Sequence, residues 1–298
     1  MLSLREPIAK DMNITINQAV CIHCGKCARV CPDSILTQES AGSAITVAHP
    51  EECVVCGHCV DVCPTGAVVH PAFPPATWHE LDYAAMPSPE SLLELLRARR
   101  SNRSFLAKPV PRETLERIVY AANLAPTATN SQALSYTLVT QPERLRQVSD
   151  YTVGVFNRLA ALLLNPVVKC LLKPFMGEVY SLVPMFQRLR QEHEAGSDPI
   201  LRKAPALLII HTPSSNRFKH EDGNLAYQNA SLMAQSLGIS QVYMGFVLSA
   251  IRHDIHRGAL ARLLGIDGEI VAIMALGYPA FRYPRYVDRK PPRMRFME

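Results

Sequence analysis

The run Cys21-Ile22-His23-Cys24-Gly25-Lys26-Cys27-Ala28-Arg29-Val30-Cys31-Pro32 recurs from Cys53 as Cys53-Val54-Val55-Cys56-Gly57-His58-Cys59-Val60-Asp61-Val62-Cys63-Pro64. The four cysteines, the glycine after the second, the valine before the fourth and the closing proline all repeat, which marks an internal duplication. Three thiolates spaced by two residues can wrap one face of an iron–sulfur cubane while the intervening backbone N–H groups point at its sulfurs. Zinc and disulfides are the competing explanations. Zinc sites usually show paired C-x2-C arms with four ligands in total, not triplets followed by Cys-Pro. A reducing cytoplasm is the expected compartment, and there thiols serve metal or redox chemistry rather than disulfides.

In two-cluster ferredoxins the cysteine before the proline ligates the other cluster. The expected sets are therefore Cys21, Cys24, Cys27 and Cys63 for one 4Fe–4S cluster, and Cys53, Cys56, Cys59 and Cys31 for the second. Residues 12–72 resemble the bacterial two-cluster ferredoxin family. Cys170 lies outside the array in an apolar segment and reads as a buried structural thiol.

The rest of the chain is composed like a packed globular protein. Of 298 residues, 48% are hydrophobic and 19% charged, which excludes a disordered chain. A chain of this size can bury roughly 75% of its unfolded surface and needs no disulfide staples. One small and one large domain are expected. No basic segment followed by an apolar run opens the sequence, so no signal peptide is expected. The most apolar stretch, 159–175, is cut by Asn165, Pro166, Lys169 and Lys173, so no membrane span is expected. Net charge is +5, divided unevenly: residues 1–79 carry four Lys and Arg against seven Asp and Glu, and the remainder 27 against 19. The basic residues gather at two short sites, 97–103 and 282–295, which suit a small anionic ligand better than nucleic acid.

Pro71, Pro74, Pro75, Pro87 and Pro89 make the joint a stiff linker rather than a helix or central strand. Ser88 is a good N-cap for a helix ending near Arg100, with Pro89 at its first position. Beyond it, helical patterns (112–124, 141–149, 221–237) alternate with strand-like runs (Ser135–Thr140, Ala204–His211, Val242–Val247, Ile270–Leu276), so a helix-covered sheet is expected. Asp222 reads as the N-cap of the 221–237 helix. His193, His211 and His220 show no ligand spacing. Residues 151–195 form a helical insertion whose apolar side chains need cover from the domain, a dimer partner, a substrate beneath a lid, or a membrane surface.

No G-x-G-x-x-G and no G-x-x-x-x-G-K-[ST] occurs, so a Rossmann turn and a P-loop are not expected. What remains is Arg99-Arg100-Ser101-Asn102-Arg103-Ser104-Phe105, then Ala125-Pro126-Thr127-Ala128-Thr129-Asn130-Ser131-Gln132. The first segment offers guanidinium forks and a hydroxyl suited to a phosphate ester or a polarised carbonyl; equally, it suits a solvated basic helix end. These segments, with Leu276-Gly277-Tyr278-Pro279 and Arg289-Lys290-Pro291, resemble the FMN-dependent nitroreductase family over residues 88–298. The whole chain resembles a ferredoxin-fused member of that family.

The resemblance implies an α+β fold: a two-cluster ferredoxin-like domain (1–75), a linker (76–90), and a nitroreductase-like domain (91–298) with a mixed, mostly antiparallel sheet. The 151–195 helical insertion does not align with the family, and a lid is one reading of it beside packing on the domain or a dimer partner. The resemblance also implies a homodimer with FMN at the subunit interface. Arg99 and Ser101 would contact the phosphate and ribityl chain, with Arg100 in the same cofactor-binding set, and Arg289 and Lys290 would close on the phosphate. Arg103 would sit at the N1/C2 edge, where positive charge stabilises the reduced flavin. Gly245 would let a backbone amide approach N5, and the turn carrying Thr127, Ala128 and Asn130 would reach the other subunit's flavin. The turn departs from the family at Gln132-Ala133-Leu134, where Gln-Pro-Trp is usual. The implied activity moves electrons between the clusters and FMN to reduce a nitroaromatic, quinone or enone, with ferredoxin or NAD(P)H as donor. The alternative is a non-catalytic electron carrier or redox sensor serving a protein partner.

Overall fold

The computed structural model describes residues 13–298. Contacts divide the chain into two units: residues up to Met86 together with Thr129–Ser131, and Pro87–Ala128 with Gln132–Glu298.

The first unit is two copies of one short design. Strand β1 (Thr15–Ile16), helix α1 (Lys26–Val30), strands β2 (Leu36–Gln38) and β3 (Ile45–Val47), helix α2 (His58–Asp61) and strand β4 (Val68–Val69) follow in order. β1 pairs antiparallel with β4, and β2 with β3. The duplication is visible in the backbone: His23 and Val55, Gly25 and Gly57, and Ser34 and Gly66 all have positive φ at equivalent places in the repeats. A β-branched residue such as Val55 at φ 55° is strained, so the surrounding loop must hold it there. Ile14, Ile35, Leu36, Ile45, Val60 and Val68 form a small core.

The joint is not featureless. Two 3-10 turns, Pro75–Thr77 and Tyr83–Ala85, occupy it, and the Trp78 indole N–H donates to the Phe73 carbonyl at 3.0 Å.

The second unit opens with helix α3 (Pro89–Ala98), where Ser88 Oγ accepts from the Ser91 N–H at 3.1 Å, the expected cap. Helix α4 (Arg112–Asn123) leads into strand β5 (Ser135–Val139). Then come helices α5 (Pro142–Leu164), α6 (Pro166–Leu172), α7 (Gly177–Tyr180) and α8 (Val183–Glu194), and strand β6 (Ala206–Thr212). Helix α9 (Lys219–Ser236), strand β7 (Ser240–Tyr243), helices α10 (Gly245–His253) and α11 (Ala259–Leu264) and strand β8 (Glu269–Gly277) complete it. The sheet order is β5-β6-β8-β7, with every neighbouring pair antiparallel.

β6 and β8 are buried along almost their whole lengths, and the two-residue period of a strand sorts their side chains to opposite faces. Leu207, Ile209, Ile273 and Ala275 join one core, covered by α5, α8, α10 and α11. Ala206, Leu208, Ile210, Ala272, Met274 and Leu276 join the other, covered by α4 and α9.

Three expectations change. The helix expected at 141–149 runs on to Leu164, so the first third of the insertion is a core helix: Phe156 is buried and stacks on Phe186 at 4.7 Å. The strand expected over 242–247 stops at Tyr243 and a helix begins at Gly245, because an unbroken apolar run does not distinguish strand from helix by period. Cys170 is exposed rather than buried. It sits on α6, where Val167 and Leu171 also face outward, as does Phe175 just beyond the helix. Among the described residues no single helix is long and apolar enough to cross a membrane; α5 and α6 pass that test only as a pair, bent by 78°.

Candidate functional site

The two cysteine triplets line separate cavities in the first unit. One is lined by Cys21, Cys24, Cys27 and Cys63, the other by Cys31, Cys53, Cys56 and Cys59. Each triplet therefore shares its cavity with the Cys-Pro thiol of the other repeat. Backbone donors reach these sulfurs at equivalent positions: the Ile35 N–H meets Cys31 Sγ at 3.2 Å and the Ala67 N–H meets Cys63 Sγ at 3.2 Å. The Val55 N–H, turned by its positive φ, donates to Cys53 Sγ at 3.4 Å.

Burial pushes the Cys59 thiol up to about 12, helped by the neighbouring Cys53 and Cys56. Cys27 and Cys53 are also raised, first by burial. At Cys63 burial acts upward too and is the largest single influence, but the hydrogen bonds from the Thr65, Ala67 and Val68 N–H groups and the Thr65 hydroxyl together outweigh it and the thiol is lowered. Four crowded thiols cannot all ionise at neutral pH without a cationic centre among them. The donor set therefore fits a metal-based group. No three His, Cys, Asp or Glu side chains among the described residues converge as they would on a single ion, and all nine cysteines are free. His70, outside the cysteine motif, lines the second cavity and is only 3% exposed. Burial lowers its pKa.

In the second unit, α3 ends at Ala98 and Arg99 turns extended. From there the chain runs as a strip beside β7: Ser101 bridges Gln241 in parallel, and the Asn102 N–H donates to the Gln241 carbonyl at 3.0 Å. Phe105 bridges Pro279, and the Leu106 N–H reaches the Tyr278 carbonyl at 2.9 Å. Gly277 makes this closure possible, since a Cβ there would lie 2.7 Å from Pro205 Cδ and 2.8 Å from Phe105 Cδ1.

Side chains given no role in the motifs hold the strip. Asn102 is 2% exposed; its amide donates to Ser240 Oγ at 3.1 Å and accepts from the Ser104 N–H at 2.9 Å. The Gln241 side chain donates to the Arg100 carbonyl at 3.4 Å and accepts from the Tyr227 hydroxyl. Burial raises the Tyr227 pKa, and the charge of Arg99 opposes that rise. Buried polar groups tied this way keep the backbone in one conformation.

The result leaves Arg103 exposed and Arg99, Arg100 and Ser101 half-buried on one strip. Gly245 is exposed two residues beyond β7, as the first residue of α10, and a Cβ there would meet only open space. Guanidinium forks and the free N–H groups of a helix start suit an anionic, carbonyl-bearing ligand.

The turn is placed differently. The Ala128 N–H donates to Asp222 Oδ1 at 2.9 Å, and Asp222 Oδ2 accepts from Asn216 at 3.2 Å. Asp222 is thus no N-cap: α9 begins at Lys219, and the carboxylate, 2% exposed, anchors the turn. Thr127 Oγ1 accepts from the Gln132 N–H at 3.0 Å. Asn130 belongs to the first unit and donates to the Val54 and Val55 carbonyls at 3.3 and 2.7 Å. Arg289 and Lys290 are exposed in the C-terminal tail, where Tyr286 packs under the Arg97 guanidinium at 5.3 Å.

The sequence assigned no role to Asn102, Tyr227, Gln241 or His70 and took Asp222 for a cap. His70 and Gln241 had the signal of polar side chains beside apolar runs; the others had none.

Comparison with known proteins fits this layout. The nitroreductase family model matches residues 96–278. The chain belongs to the nitroreductase family. A second model, for a 4Fe-4S dicluster domain, matches residues 20–67, ahead of the nitroreductase domain. A protein of Archaeoglobus fulgidus, named "Putative NADH dehydrogenase/NAD(P)H nitroreductase", is 28% identical over 195 residues, covering 64% of this chain and 86% of that protein. A nitroreductase of Bacteroides fragilis, solved with bound FMN, shares the fold at 22% identity and a TM-score of 0.53, over 70% of this chain and 98% of that one. Another, from Desulfitobacterium hafniense and also with bound FMN, matches at 20% identity and 0.51, over 68% and 97%. The α+β fold of the second unit is that of the nitroreductase domain, and the chain is an oxidoreductase of that family.

Proposed function

We propose that this chain is an iron–sulfur flavoenzyme that uses FMN and two 4Fe–4S clusters to reduce a small acceptor of the nitroaromatic, quinone or enone type. The domains are 1–75 for the clusters, 76–90 as linker and 91–298 for FMN, and the working form is a cytoplasmic homodimer. FMN supplies a centre that takes single electrons and delivers a pair, and the clusters supply single electrons. Arg99, Arg100 and Ser101 bind the phosphate and ribityl chain, with Arg289 and Lys290 closing on the phosphate. Arg103 holds positive charge against the N1/C2 edge, and the Gly245 N–H is directed at N5. The Thr127–Asn130 turn, set by Asp222, reaches the flavin of the other subunit. The exposed apolar tip of α6 and α7 serves as a lid over the acceptor. No side chain need act as acid, because water supplies the protons.

The observation that carries this reading is the tied basic strip beside the open start of α10, in a chain whose eight repeat cysteines ring two cavities. Anaerobically purified protein is expected to contain about eight irons and one FMN per chain. Stopped-flow reduction by NADH, NADPH or reduced ferredoxin then identifies the donor, and turnover with a nitroaromatic, a quinone and an enone identifies the acceptor class. Protein that holds iron but no flavin, or that turns over none of the three, defeats the proposal. Arg103→Ala is expected to weaken FMN binding by about 1.5–3 kcal/mol, more than tenfold; equal affinity by flavin-fluorescence titration removes Arg103 from the site.

A further inference from the structure

Resting on the two-cluster reading above, we infer that His70 makes the two clusters unequal by donating a hydrogen bond to the ligand sulfur of Cys53. The ring is 3% exposed, and its Nε2 lies 3.6 Å from Cys53 Sγ. Its Nδ1 accepts the Ala72 N–H at 3.1 Å. An N–H pointing at Nδ1 requires a lone pair there, so the proton of the neutral ring is on Nε2, facing the sulfur. Phe73 packs against the imidazole with ring centroids 4.8 Å apart and holds it in place.

The duplication supplies an internal control. Cys53 corresponds to Cys21, and His70 to Gln38, seventeen residues on in each repeat; Gln38 closes β2 and His70 follows β4. The Gln38 amide nitrogen donates instead to the carbonyls of His23 at 2.9 Å and Ser43 at 2.8 Å. In the first cavity a side-chain hydroxyl, Thr65, lies 3.8 Å from Cys63 Sγ, but Thr65 is exposed to water. A donor to a ligand sulfur stabilises the more negative reduced cluster over the oxidised one and raises its potential, the more so when buried. The cluster held by Cys31, Cys53, Cys56 and Cys59 is therefore the more readily reduced of the two.

The test is an anaerobic redox titration of the full-length holoprotein followed by electron paramagnetic resonance, with iron and sulfide measured in parallel. Two potentials are expected in the parent protein. In His70→Phe the higher one falls by an amount worth two- to tenfold in the reduction equilibrium, up to about 59 mV, and the lower one stays. His70→Gln, which keeps a donor, is expected to restore most of the difference. The inference is overturned if both potentials stay put in His70→Phe, if both move together, or if both variants lose the second cluster. A parent protein without about eight irons defeats the cluster reading itself, which is a separate failure.

Discussion

Among the described residues of the cysteine unit no strand exceeds three residues and the core is eight buried side chains, one of them the ligand candidate Cys27. The nitroreductase unit buries 25 apolar residues on one face of its sheet and 16 on the other. Fully burying one such side chain contributes about 1.5–3 kcal/mol, so the second unit has ample means to fold on hydrophobic burial. The first does not. Small units with thin cores depend on metals or disulfides, and here the thiols are free. On the proposed cluster reading, the same polypeptide is held in one part by ligation and in the other by packing.

That contrast can be broken in several ways. The largest effect is expected from iron removal. A strong chelator with an oxidant should abolish the ordered structure of residues 13–86 while the nitroreductase unit keeps its own melting transition; calorimetry resolving two transitions checks this. One joint transition, unchanged by chelation, would contradict it. Next, Cys31→Ser should remove the cluster otherwise held by Cys53, Cys56 and Cys59, leaving about four irons per chain. Loss of the other cluster alone would refute the crossed sets.

Phe156→Ala tests the packing side. Phe156 is 1% exposed, between Phe186 and an edge-on Phe246 at 6.0 Å, so its loss should cost about 3–5 kcal/mol in the nitroreductase unit and leave iron content unchanged. The smallest effect concerns pH. His211 is buried, with Thr137 at 3.0 Å on one nitrogen and the Asp267 carbonyl at 2.9 Å on the other. Burial lowers its pKa, opposed by Asp267. The folded state binds its proton less readily than the unfolded chain, so stability is full above about pH 6.5. It falls as the pH drops from there through the lowered folded value. His211→Gln should flatten that slope in urea melts of the nitroreductase unit between pH 7 and pH 5.

Legibility differed between the units for a physical reason. The cysteine motif is local: ligand spacing within twelve residues states the chemistry, and the repeat states it twice. The Ser88 cap, the strand positions of β5, β6 and β8 and the basic strip are also short-range and were readable. The helix start at Gly245 was not, because the run Met244–Ile251 is apolar whichever way it folds. Asp222 looked like a cap because its partner, the Ala128 N–H, is 94 residues away in sequence.

By itself, the sequence determined the cysteine repeat, the order of a dicluster segment before a nitroreductase domain, and the family, since each rests on residue types at fixed spacings. Only the tertiary structure decided the strand order β5-β6-β8-β7, the Tyr227–Gln241–Arg100 tie beneath the basic strip and the place of His70 against Cys53. Those depend on which distant segments share a buried boundary, where an unpaired polar group is too costly to leave and each must find a partner that no local pattern encodes.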